Sequence, residues 1–140
     1  MNRKQFLRAT ALALVGFAIG PSLIESCAKS WTSPQGPAAD FTLDLSASAN
    51  AALNNISGSV YSNGVVVTRI STADLGFVAL SQTCTHQGCT IAYDPRTLNF
   101  VCPCHNGTYD LNGNVTGGPP PAPVTKYSVT RSNNILTIKG

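Results

Sequence analysis

Two short segments, Cys-Thr-His-Gln-Gly-Cys at Cys84–Cys89 and Cys-Pro-Cys-His-Asn-Gly at Cys102–Gly107, hold four of the five cysteines and both histidines of this 140-residue chain. Each segment supplies one cysteine and one histidine close together, Cys84 with His86 and Cys102 with His105, plus one spare cysteine. Two thiolates and two imidazoles suit a [2Fe–2S] cluster in which one iron takes two sulfur ligands and the other takes two nitrogens. Zinc also accepts two cysteines and two histidines, but structural zinc sites usually space them as C-x₂₋₄-C and H-x₃₋₅-H. Cys84 and Cys89 do show the first spacing, but Cys102 and Cys104 flank a single proline, too tight for a chelating pair, and the two histidines lie in different segments, so the H-x₃₋₅-H half of the pattern is missing. Zinc would also leave two thiols without a role.

The pattern C-x-H-x-G-C, a strand-length gap and then C-P-C-H resembles the Rieske iron–sulfur domain. The second cysteine pair makes it similar to the form found in quinol-oxidising cytochrome complexes. The resemblance spans Asp40 to Gly140. It implies one [2Fe–2S] cluster, with Cys84 and Cys102 on one iron and His86 and His105 on the other. It further implies a Cys89–Cys104 disulfide joining the two loops. Those cysteines sit one per loop, and loops meeting on one small cluster satisfy the limit of about 7 Å between bridged Cα atoms.

Neutral histidine ligands leave the oxidised cluster less negative than thiolate-only ligation would, which raises its potential to roughly −150 to +300 mV. Outward-facing imidazole nitrogens would couple electron uptake to proton uptake. By the same resemblance, Tyr109 donates its hydroxyl proton to the Cys84 sulfur, although an ordinary strand aromatic reads the same way. Gly107 stands where high-potential members carry a serine bonded to a bridging sulfide. A lower-potential cluster is therefore expected, matched to menaquinol or another low-potential donor. Gln87 replaces the leucine usual in quinol-oxidising members. Residues 117–123, Gly-Gly-Pro-Pro-Pro-Ala-Pro, resemble the proline loop that covers the cluster, stiffened by the fixed φ of proline.

The N-terminus suggests a destination. Arg3, Lys4 and Arg8 lead into an apolar run, Ala9 to Ile24, broken by Gly16, Gly20 and Pro21. That is signal-peptide organisation, and the run is shorter than the ~20 residues of a spanning helix. Arg3-Lys4-x-Phe6-Leu7 resembles a twin-arginine signal with lysine in the second basic position. Cys27, after Leu23-Ile24-Glu25-Ser26, resembles the lipidated cysteine of a bacterial lipobox, with Glu25 as a departure. An uncleaved anchor, or a cysteine removed with the signal, remains open. The expected organisation is a signal peptide over 1–26, a flexible Ser/Pro/Gly-rich tether over 27–39 containing Trp31, and the cluster-binding domain over 40–140. An oxidising compartment suits the expected disulfide.

About a hundred residues remain for the domain, enough for one small core. Short alternating or apolar runs predict strands over Phe41–Leu45, Ser57–Tyr61, Val65–Ile70, Gly76–Leu80, Thr90–Tyr93, Leu98–Val101, Thr125–Thr130 and Ile135–Lys139. Asn63-Gly64 predicts a tight hairpin. The expected fold is all-β, a small antiparallel sandwich or barrel with a cluster-binding subdomain, preceded by a helical signal segment. Ala47–Leu53 is expected to form at most a turn. Formal charge is +3, and three basic residues and one acid precede Cys27. The remainder is near +1, with no basic stripe for nucleic acid.

These features predict an exported, membrane-tethered electron-transfer protein of the cell envelope. Its expected partners are redox proteins, a cytochrome b or c type or a molybdenum oxidase subunit, with quinol as a further candidate. Alternative settings are the small subunit of an exported molybdenum oxidase such as one acting on arsenite, or a stand-alone lipoprotein carrier. A zinc-stabilised, non-redox surface lipoprotein is the alternative of a different class. Catalysis by this chain alone is not expected.

Overall fold

The computed structural model describes residues 36–140. The expected signal peptide, Cys27, Trp31 and most of the expected tether lie outside these residues. Among the described residues, no helix is long and apolar enough to cross a membrane.

Among the described residues, ten strands form two antiparallel sheets. The larger has the order β1 (Asp40–Asp44), β10 (Ile135–Lys139), β9 (Lys126–Ser132), β4 (Phe77–Ser81), β3 (Val65–Arg69), β2 (Ser59–Ser62). The smaller runs β5 (Ala92–Asp94), β6 (Asn99–Cys102), β7 (Gly107–Tyr109), β8 (Val115–Gly117). The β2–β3 hairpin turns at Asn63 and Gly64, whose φ values of 50° and 77° are both positive. This is the conformation for which Asn-Gly is selected, because its twist matches that of the strands.

The continuous apolar runs of β3 and β4 have a structural cause. Successive side chains on a strand face opposite sides, and here both sides are covered. Val65, Val67, Phe77 and Ala79 join Leu43, Leu53, Leu136 and Ile138 in one core. Val66, Val78 and Leu80 join Ile91, Phe100, Tyr109, Val124 and the sulfur-bearing residues Cys84 and Cys102 in a second. A sandwich-core strand therefore lacks the polar alternation of a half-buried one. The second core connects the two sheets, and the Tyr61 hydroxyl reinforces that junction by donating to the Ile91 carbonyl at 3.2 Å.

Two elements differ from the sequence expectation. Ser48–Asn54 forms a 3₁₀-helix rather than a simple turn. It is anchored by fully buried Leu53 and by Asn50, whose side-chain amide donates to the Asp44 carbonyl at 2.9 Å. Strands β7 and β8 were not expected, since each is three residues long and carries a glycine. A side-chain turn joins them: the Asp110 carboxylate accepts the backbone N–H groups of Asn112 and Asn114 at 2.8 and 2.9 Å.

The described end of the expected tether is fastened to the large sheet. The Gly36 N–H donates to Thr125 Oγ1 at 2.8 Å, and the Tyr127 hydroxyl donates to the Pro37 carbonyl at 2.8 Å. Ala39 is buried in the first core.

Candidate metal centre

Each cysteine-rich segment is a short loop closed by strand pairing. The first follows β4. The Thr83–Thr90 bridge and the Ile91 N–H to Gln82 carbonyl bond, 2.9 Å, bring its ends together. Inside it, the Cys84 N–H donates to the Cys89 carbonyl at 2.8 Å, and the Gly88 N–H donates to the Cys84 carbonyl at 2.9 Å. The second loop is the turn between β6 and β7, where Cys102 pairs with Gly107. Asn106 takes the left-handed conformation there, φ 56°, which asparagine tolerates better than most residues.

The six residues singled out in the sequence converge. Cys89 and Cys104 form a disulfide, with Cα atoms 6.5 Å apart. Cys84 and Cys102 remain free and are each 2% exposed. The His86 and His105 rings lie 4.8 Å apart in an edge-to-face arrangement. His86 is half-buried and His105 exposed, so the site has a sulfur side inside the core and a nitrogen side at the surface. The Sγ atom of Cys102 lies within 4.8 Å of both disulfide sulfurs. That trio is not a ligand set, because two of its sulfurs are bonded to each other.

The environment of the two thiols is asymmetric. Burial opposes ionisation of Cys84, but the Tyr109 hydroxyl, the N–H groups of His86 and Gln87 and the Cys102 thiol outweigh it and hold the Cys84 thiol below its ordinary range. Burial pushes the Cys102 thiol up, and the neighbouring Cys84 sulfur adds to this against the N–H groups of Cys104 and His105. Each sulfur thus meets two backbone N–H groups from its own loop. Tyr109 is fully buried, with its hydroxyl 3.3 Å from Cys84 Sγ. Exposed Gln87 contributes through its backbone rather than its side chain.

The proline-rich segment packs on both loops. Buried Pro120 covers Gly107: a β-carbon there would lie 2.9 Å from Pro120 Cδ and closer still to its Cγ. Gly118, at φ 82°, sits so near the second loop that a β-carbon would lie 2.8 Å from the Asn106 carbonyl oxygen and the Gly107 Cα. Ala122 reaches the first loop, where its carbonyl accepts the Thr85 hydroxyl at 2.7 Å. Gly107 is therefore more than a missing hydroxyl; it leaves the space that Pro120 fills. The Gly107→Ser variant is expected to lose about 1–3 kcal/mol through overpacking. Thermal unfolding of wild type and variant measures this, and an unchanged Tm would show that Pro120 yields without cost.

Sequence reading missed Thr85. Its N–H donates to the Tyr109 hydroxyl at 3.1 Å, and its Oγ1 lies 3.1 Å from the same oxygen. Nothing local signals this, since the partners lie 24 and 37 residues away.

Two strand-borne loops, each offering a thiol and an imidazole over an antiparallel double-sheet fold, define an iron–sulfur domain with mixed histidine and cysteine donors. The family model for the Rieske [2Fe-2S] domain matches residues 46–128, more than half of the chain, and the chain belongs to this family. The family's cofactor is one [2Fe–2S] cluster. The cytochrome b6-f complex iron-sulfur subunit of Prochlorococcus marinus (strain MIT 9515) is 36% identical over 69 residues, which is 49% of this chain and 39% of that protein. The menaquinol:cytochrome c reductase iron-sulfur subunit of Bacillus subtilis (strain 168) is 52% identical over 54 residues, 36% of this chain and 32% of that protein. The solved cyanobacterial plasma membrane Rieske protein PetC3 from Synechocystis PCC 6803 aligns at 31% identity with a TM-score of 0.48, covering 54% of this chain and 76% of that one. The chain thus spans less than half the length of either curated relative.

Proposed function

We propose that this protein is an exported, membrane-tethered electron carrier that passes single electrons between a low-potential donor such as menaquinol and a cytochrome partner. The observation that carries the reading is the sorting of the site: two buried free thiols, two adjacent imidazoles reaching the surface, and the remaining described cysteines tied to each other. This donor set fits a [2Fe–2S] cluster. Cys84 and Cys102 would hold one iron; at Cys84 the surrounding donors already favour the thiolate form that a metal ligand requires, whereas at Cys102 the N–H groups of Cys104 and His105 act in that direction against burial. His86 and His105 would hold the other iron and present the edge of the site to a partner. When bound, the cluster supplies reversible one-electron chemistry. The protein orients the ligands, excludes water from the sulfurs and donates the Tyr109 hydrogen bond to Cys84. A hydrogen-bond donor at a ligand sulfur favours the more negative reduced state and tunes the potential upward. Gly107, by omitting a further hydroxyl, works in the opposite direction.

Similarity to the iron-sulfur subunits of a cytochrome b6-f complex and of the Bacillus subtilis menaquinol:cytochrome c reductase supports a cytochrome partner, and the latter supports menaquinol as donor. Lipidation at Cys27 would supply the tether. The test is to express the full chain in an envelope-competent bacterial host and analyse it as isolated. Two irons and two labile sulfides per chain are expected, with a midpoint potential within roughly −150 to +300 mV. Cys27→Ser should move the protein from the membrane fraction to the soluble envelope fraction. One zinc and no labile sulfide would overturn the redox reading. Retention of the Cys27→Ser variant in membranes would overturn the lipid tether alone.

A further inference from the structure

We propose that Thr85 is a positioning residue that sets how much of the Tyr109 proton reaches the Cys84 sulfur. The proposal rests on the reading above, in which Cys84 is a cluster ligand and Tyr109 its donor. It follows from counting protons in one partly buried group of hydrogen bonds. The Thr85 hydroxyl has a single proton, and the Ala122 carbonyl, which can only accept, lies 2.7 Å away. With that proton committed, Thr85 Oγ1 can only accept along its second contact, the 3.1 Å approach of the Tyr109 hydroxyl. The Tyr109 oxygen already accepts the Thr85 N–H at 3.1 Å. Tyr109 also has one proton, and it faces two acceptors, Thr85 Oγ1 at 3.1 Å and Cys84 Sγ at 3.3 Å.

The proton is therefore divided, and Thr85 draws part of it away from sulfur. The Ala122 carbonyl enforces this division. Were it absent, the Thr85 hydroxyl could turn and donate to Tyr109, leaving the phenol proton wholly to Cys84. The proline-rich segment thus acts on the ligand sulfur through two hydroxyl groups, by way of the Ala122 carbonyl. Its effect is to lower the potential, in the same sense as the glycine at position 107.

Voltammetry of the cluster-loaded full chain tests this with Thr85→Val, Thr85→Ala and Thr85→Ser, each also made in a Tyr109→Phe background. Removing the hydroxyl in either of the first two variants should raise the reduced-to-oxidised ratio at fixed potential by up to about tenfold, a positive shift of up to about 59 mV for one electron. Thr85→Ser keeps the hydroxyl and should stay near the wild-type potential. In the Tyr109→Phe background the Val and Ala shifts should vanish, because no proton remains to redistribute. A shift that persists there would mean that Thr85 acts by loosening the loop, and the proposal would fall. It would fall equally if neither hydroxyl-free variant shifts the potential upward, or if neither takes up the cluster while Thr85→Ser does. If Tyr109→Phe alone leaves the potential unchanged, the underlying reading of Tyr109 as donor fails instead.

Discussion

Replacing either His86 or His105 with alanine is expected to abolish the native cluster while leaving the domain folded. The chain has only these two histidines, so no third imidazole can take over. The fold should survive because the loops are held by more than the metal. The Cys89–Cys104 bond links them covalently, strand pairing closes each, and Gly118, Pro120 and Ala122 press on both from outside. Both rings also lie at the surface side of the site, so their removal opens little internal volume. Iron and labile-sulfide analysis should show loss of the stoichiometric cluster, and far-UV circular dichroism should retain the β-sheet signature. Wild-type iron content in either variant would remove that histidine from the ligand set.

Loss of the disulfide is the second large expected effect, and it should fall on stability first. The double variant Cys89→Ser/Cys104→Ser avoids leaving one unpaired thiol close to Cys102 Sγ, where exchange would confuse the result. The two cysteines are 15 residues apart. Closing a loop of that length is worth about 3 kcal/mol in the chain-entropy account, and losing a native disulfide from a small domain typically costs about 2–5 kcal/mol. For a domain of this size, that corresponds to a fall in Tm of roughly 10–20 °C. The loss should be larger in the cluster-free protein, where no metal holds the loops together. Differential scanning calorimetry of both forms checks this. An equal or smaller fall in the cluster-free form would mean that proline-segment packing alone fixes the loops.

The site was more legible in the sequence than the scaffold around it, and the reason is chemical. Thiols and imidazoles are few, and their spacing within a loop is local, so Cys84, His86, Cys89, Cys102, Cys104 and His105 stand out without any knowledge of the fold. The hairpin at Asn63-Gly64 was legible for the same local reason, since positive φ selects those residues. Strands β7 and β8 were not, because three residues carry no period and their existence depends on pairing with β6 and on the Asp110 turn. Thr85 was hidden because its role is defined by Tyr109 and Ala122, both distant in sequence. Gly107 was half legible. Its lack of a hydroxyl could be read directly, whereas the proline occupying its missing β-carbon appears only once the chain is folded.

The fastening of Gly36 and Pro37 has a mechanical meaning. Their hydrogen bonds end on Thr125 and Tyr127, residues that follow the proline-rich segment, and Gly36 lies against Ser81, from which the first cysteine loop springs. Any load arriving along the chain from before Gly36 is therefore delivered to the end of the sheet that carries the redox site, not to the far end. The domain is gripped near its working tip, like a tool held close to the blade. Were the chain held from before Gly36, a short grip of this kind would restrict the arc the tip can sweep and make its orientation depend on a few hydrogen bonds at the handle.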